Sequence, residues 1–78
     1  MAARYSKQSL SVMIRTNVRK YRLMCGMTMQ ELADKTELTH GYIRDLESLK
    51  VDKTPSLETL SKLCNALEID IKQLFDDI

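Results

Sequence analysis

Two helix-start signals stand eleven residues apart between Gly26 and Leu49, and they limit the fold more tightly than any other stretch. Thr28 has the chemistry of an N-cap, with Glu31 three residues on as its capping-box partner and Met27 and Leu32 as a hydrophobic staple. Thr39 repeats the device, flanked by Leu38 and Ile43. The first of these helices is expected to end at about Lys35 or Thr36, and the second to run from His40 to about Ser48. A connection of so few residues makes the two helices cross steeply, in helix-turn-helix geometry. Within the second helix the 100° step sends Ile43 and Leu46 to one side, with Tyr42 and Glu47 on the flanks. Gly41, Arg44, Asp45 and Ser48 point the other way, and His40 lies at the edge of that group. Any amphipathic helix with a solvated outer side shows the same split, so the face alone assigns no partner.

The rest of the chain supplies helices to hold this pair. Residues 1–8 lack apolar periodicity and are expected to be a loose basic arm. From about Ser9 the apolar positions Leu10, Ile14, Val18, Tyr21 and Cys25 trace one helical stripe, closed by Gly26 in a left-handed turn. Arg15, Arg19 and Arg22 share one flank of that helix. For Arg15 and Arg19, phosphate contact and plain solvation are both open. After the pair, the polar segment Leu49–Thr54 leads to Pro55, which ends any continuation of the preceding helix. Ser56 then caps a fourth helix whose apolar face is Leu57, Leu60, Leu63, Cys64 and Leu67. Asp70 starts a fifth, with Gln73 as box partner, Ile69 and Leu74 as staple, and Leu74, Phe75 and Ile78 as its apolar side. No segment reads as a strand. The expectation is an all-α, compact five-helix bundle, with residues 9–78 forming one domain.

Size and composition exclude several classes of function. At 78 residues the chain has room for one domain and not for an enzyme cleft beside a core of its own. No apolar run is long enough to span a membrane, and Met1–Ser11 lacks the apolar segment of a secretory signal, so a cytoplasmic location is expected. Cys25 and Cys64 are far apart, with no CxxC or Cys/His cluster, which argues against zinc; both fall on apolar faces and read as buried free thiols. No nucleophile–base pair, metal set or phosphate-cradling glycine loop is visible, so neither catalysis nor a cofactor is expected. The net charge is +1, but residues 1–25 carry six basic residues and no acid, while all eleven acids follow. Such asymmetry points to a polyanion contact on one side, whereas the near-neutral total speaks against strong nonspecific nucleic-acid binding.

Taken together, the segments resemble the phage repressor and Cro class of helix-turn-helix domain, the XRE-like family. The resemblance runs from Ile14 to Phe75 and rests on Val18-Arg19, Tyr21-Arg22, Gly26-Met27-Thr28 and Glu31-Leu32-Ala33. It continues through Tyr42-Ile43, Leu46-Glu47, Pro55-Ser56-Leu57-Glu58-Thr59-Leu60, Ala66-Leu67-Glu68-Ile69 and Gln73-Leu74-Phe75. It implies a lambda-repressor-like fold with helices 2 and 3 as the helix-turn-helix and the helix from His40 in the DNA major groove. His40, Gly41, Arg44 and Asp45 then fall where bases are read: Arg44 suits guanine, Asp45 suits cytosine N4, and Gly41 permits close approach. Thr28, Met29, Gln30, Thr39, Tyr42, Ser48, Lys50 and Lys53 fall where phosphates pass, and Arg22 and Glu47 match a buried salt bridge between helix 1 and the recognition helix. Four departures stand out. Met29 replaces the usual glutamine, Glu37 replaces the turn glycine, Leu49 replaces the glycine after Glu47, and the loop before Pro55 is longer. The implied function is a double-stranded DNA-binding regulator, a repressor, acting as a homodimer on an inverted repeat, with Leu74, Phe75 and Ile78 as candidate interface and no small-molecule ligand. The alternative is a protein-interaction module, such as an antitoxin or a regulator's partner, that turns the same helical face toward protein.

Overall fold

In the computed structural model, which describes residues 4–77, α1 spans Lys7–Met24, α2 Met29–Thr36, α3 His40–Ser48 and α4 Leu57–Leu67. The expected fifth helix is not an α-helix: Ile71–Phe75 winds as a 3-10 turn, so the described residues hold four α-helices and no strand. The reason is length. Asp70 does cap it in a box with Gln73, but the backbone is extended again at Asp76, and the bonds Gln73 N–H to Asp70 carbonyl (2.9 Å) and Asp76 N–H to Gln73 carbonyl (3.4 Å) are three-residue bonds. Five residues offer too little for the wider α-helical ladder to repay its nucleation.

α1 also begins earlier than the apolar stripe suggests. Ser6 caps it, with Ser9 N–H donating to Ser6 Oγ at 3.0 Å and Ser6 N–H donating to Ser9 Oγ at 2.9 Å. Ser9 is thus the box partner rather than the first helical residue, and two residues assigned to the arm are helical; residues 1–3 of that arm lie outside the described residues. α2, α3 and α4 are capped by Thr28, Thr39 and Ser56, and Thr28 forms a full box with Glu31. The hydrogen bonds from Thr28 hold the Glu31 carboxyl below the usual range, so its contribution is present at neutral pH and is lost as pH falls through that lowered value.

Val18, Leu32, Ala33, Ile43, Leu46, Leu63 and Leu74 are fully buried and form the centre of the core. Three stripe residues depart from expectation. Leu57 is 85% exposed because it is the first helical residue of α4, turned away from the layer that Leu60, Leu63 and Leu67 bury. Leu10 is only half-buried. Cys25, at the cap position beyond the last turn of α1, is exposed, whereas Cys64 is buried and burial pushes its thiol pKa up.

Three helices close on left-handed residues that are not glycine: Glu37 (φ 60°), Leu49 (φ 61°) and Glu68 (φ 54°). The two departures from the family's glycines therefore keep the glycine backbone. An L-residue there costs roughly 1–2 kcal/mol, partly offset because glycine would loosen the unfolded chain. Leu49 is 44% exposed and gives up little packing, so Leu49→Gly is expected to raise stability by about 0.5–1 kcal/mol in urea denaturation. A lower midpoint in that variant would show that the Leu49 side chain contributes more than its conformation costs.

Candidate nucleic-acid interface

α2 and α3 pack on each other across residues 37–39, with Leu38 N–H reaching back to the Ala33 carbonyl at 3.1 Å. Thr39 Oγ1 accepts from Tyr42 N–H at 3.0 Å and sets where α3 starts. Ile43, Leu46 and Glu47 are buried beneath the helix, His40, Arg44 and Ser48 are exposed, and Gly41, Tyr42 and Asp45 are half-buried. On the outer side the Arg44 guanidinium folds back over Gly41; a Cβ there would stand 3.5 Å from Arg44 Nη2. Arg44 Nε donates to Asp45 Oδ1 at 3.4 Å. That pairing leaves the two terminal nitrogens of Arg44 for an outside acceptor and engages the acid that would otherwise repel phosphate.

The inner side of α3 is tied to α1 by two arginines. Arg22 makes a two-bonded pair with Glu47, Nε to Oε2 at 2.7 Å and Nη2 to Oε1 at 2.8 Å, and its Nη1 donates to the Met27 carbonyl at 2.7 Å. Both side chains are buried, and the bonds to Glu47 raise the Arg22 pKa further. Arg19 stands outside, with Nη1 3.8 Å from Glu47 Oε1.

Arg15 is neither a phosphate contact nor a solvated charge. It is 3% exposed and closes the end of α3: Nε donates to the Leu46 carbonyl at 2.7 Å and Nη2 to the Asp45 carbonyl at 3.0 Å. Nη2 also reaches the Val51 carbonyl at 2.7 Å, and Nη1 the Lys53 carbonyl at 3.1 Å. The last carbonyls of a helix lack intrahelical donors and form its negative end. α3 has no basic residue in its own last turn, and α1 supplies one. Ser11 adds a hydroxyl bond to the Lys53 carbonyl at 2.8 Å. Sequence reading missed both residues. The signal was a second α1 stripe, Ser11, Arg15, Val18 and Arg22, at spacings of 4, 3 and 4 beside the apolar one.

The remaining candidates fall into three groups. At the start of α2, Thr28 is exposed, and its hydroxyl and N–H serve the capping box. The Met29 side chain rests on the core, so of Met29 only the backbone amide faces outward chemistry, and Gln30 Nε2 donates to Asp34 Oδ1 at 2.9 Å. Beyond α3, Ser48 Oγ donates to the Asp45 carbonyl at 3.2 Å and accepts from Lys50 N–H at 3.3 Å, which ties it into the helix end. Lys50 is exposed, and the Lys53 ammonium sits 4.2 Å from the centre of the Tyr42 ring. In the third group, the candidate interface, Leu74 is fully buried and presents nothing to a second chain, because the 3-10 turn points it into the core. Phe75 is 41% exposed, and Ile78 lies outside the described residues. Asn17 holds this turn from α1, donating to the Leu74 and Asp76 carbonyls at 2.8 and 2.9 Å, and the Tyr21 hydroxyl donates to the Asp76 carboxylate.

Among the described residues no group of three or more His, Cys, Asp or Glu stands close enough to hold a metal ion, and no helix is long and apolar enough to cross a membrane.

Comparison with known proteins adds to this geometry. A helix-turn-helix family model matches residues 18–74. The chain is 32% identical over 60 residues to the transcriptional regulator ClgR of Mycobacterium tuberculosis, covering 77% of this chain and 52% of that one. It thus spans about half the length of the curated relatives it matches. Among solved structures it is similar to the biofilm master regulator SinR in complex with DNA, with TM-score 0.73, 27% identity and coverage of 81% of this chain and 98% of that one. The restriction-modification controller protein C.AhdI from Aeromonas hydrophila gives TM-score 0.73 at 28% identity, covering 83% of this chain and 96% of that one.

Proposed function

The chain belongs to the helix-turn-helix family of the phage repressor and Cro type, and from that we propose that it is a sequence-specific double-stranded DNA-binding regulator of transcription. The observation that carries this reading is the contrast between the two sides of α3. Its inner side is locked by Arg22 and Arg15, and its outer side offers His40, Gly41 and the terminal nitrogens of Arg44. A helix held rigidly while one edge is left polar and unencumbered suits insertion into a major groove.

In this reading Arg44 donates to guanine O6 and N7, and His40 reads a neighbouring edge. Asp45 serves as the partner that orients Arg44 or as an acceptor for cytosine. The free amides of Met29 and Gln30 at the positive end of α2, with Thr28 and Thr39, lie along one strand's phosphates, and Tyr42, Ser48, Lys50 and Lys53 along the other. A nine-residue reading helix gives limited affinity, so the protein works as a symmetric homodimer on an inverted repeat, joined through the surface around Phe75. It acts in the cytoplasm as a repressor, by occlusion and without catalysis or cofactor.

Selection of bound sequences from a random duplex pool tests this. The wild type is expected to enrich an inverted repeat, and Arg44→Ala to lose preference at one position per half-site, at about 1–3 kcal/mol. No enrichment by the wild type at low salt would overturn the reading in favour of a protein partner for this face.

A further inference from the structure

The loop after α3 is held from behind by α1 and carries a cation to the front. Ser11 Oγ and Arg15 Nη1 both donate to the Lys53 carbonyl, and Arg15 Nη2 holds the Val51 carbonyl. Ser11 and Arg15 are buried, so the backbone from 51 to 53 is seated on α1 rather than left to swing. From that seat the Lys53 side chain turns back toward α3, where its ammonium lies over the Tyr42 ring at 4.2 Å. A ring face attracts the charge without consuming its N–H donors, so the ammonium keeps bonds to give to an anion. A lysine on an unsupported loop loses much rotamer freedom when it closes on a phosphate, and one already parked on an aromatic ring loses less.

We propose that Ser11 and Arg15 are positioning residues that act through Lys53, setting a DNA phosphate contact on the Tyr42 flank of α3. The inference rests on the DNA-binding reading and deepens it. It gives the longer loop before Pro55 a use: the added length lets the chain cross from the end of α3 to α1 and return a charge to the helix flank. A purely structural role for Ser11 would stiffen the domain without regard to the Lys53 charge, and the two roles separate in a double-mutant cycle.

The test is binding to a labelled random-sequence DNA duplex across a salt series, by wild type, Ser11→Ala, Lys53→Ala and the double variant, at a temperature where circular dichroism shows all four folded. Arg15→Ala is set aside here because it threatens the fold, whereas Ser11→Ala removes one neutral hydrogen bond. Lys53→Ala is expected to weaken binding about fivefold and to make the slope of log K against log salt shallower by about 0.9, the signature of one phosphate released. Ser11→Ala is expected to weaken binding about threefold in the wild-type background and to have no further effect when Lys53 is alanine. Independent, multiplicative losses would overturn the positioning role while leaving DNA binding intact. Failure of the wild type to bind the duplex at low salt would overturn both.

Discussion

Alanine at position 15 is expected to lower the unfolding free energy by about 3–5 kcal/mol, a large share of the roughly 4–12 kcal/mol typical of a domain this size. The size follows from what the guanidinium does. It is buried with four carbonyl partners, two at the end of α3 and two in the loop beyond, and none of the ion pairs among the described residues includes it. Its charge is balanced by dipoles rather than by a carboxylate. Hydrogen bonds from a charged donor contribute about 1.5–3 kcal/mol each, less than additively, because water reaches the loop carbonyls once the side chain is gone. Arg15→Lys keeps the charge but not the planar fork, so it serves fewer of the four carbonyls and is expected to cost about 2 kcal/mol. Urea denaturation decides the matter. An alanine variant within about 0.5 kcal/mol of wild type would mean that the clamp contributes nothing measurable.

The second large effect belongs to Arg22 and Glu47. Removing either leaves the other buried without its partner, and Arg22→Ala or Glu47→Ala is each expected to cost about 3–5 kcal/mol. The two losses differ in what is left behind. After Glu47→Ala, Arg22 still has the Met27 carbonyl; after Arg22→Ala, Glu47 has Arg19 at 3.8 Å, which can swing inward. Replacing both at once, as Arg22→Met with Glu47→Leu, is expected to cost far less than the sum of the singles, because an apolar pair strands no charge. Thermal and urea unfolding of the two singles and the double close the cycle. Additive losses would show that the pair is not coupled and that each residue matters only for its own packing.

The parts of the fold that the sequence reveals most directly are the local ones. Thr28 with Glu31, Thr39, Ser56, and Asp70 with Gln73 all cap where their spacing puts them, because a cap is made by atoms within three residues of each other. The outward side of α3 is equally plain from the 100° step, which buries Ile43 and Leu46 and leaves Arg44 outside. What escapes is whatever depends on distant partners or on chain ends. Arg15 looks like any basic residue on a flank until it meets carbonyls 30 to 38 positions away. Ser6 and Ser9 form a box without the acidic or amide residue that advertises one. The last turn has a correct cap and staple, yet it is too short to become an α-helix, and its Leu74 is spent on the core instead of an outside surface. Within the candidate interface, Gly41 and Asp45 take on meaning only when the Arg44 side chain is seen lying over one and bonded to the other.

The clamp also bears on where this domain can be cut. The segment shared with the family is 18–74, yet Ser11 and Arg15, which seat the loop and close α3, precede it, as does Asn17. Asp76, whose carbonyl and carboxylate anchor the tail to α1, follows it. A fragment trimmed to the shared boundaries would retain every proposed base-reading side chain and lose the buttresses outside them. The smallest autonomous folding unit is therefore wider than the stretch by which the relatives are recognised, and grafting only that stretch onto another protein would transplant a reading head without its mount.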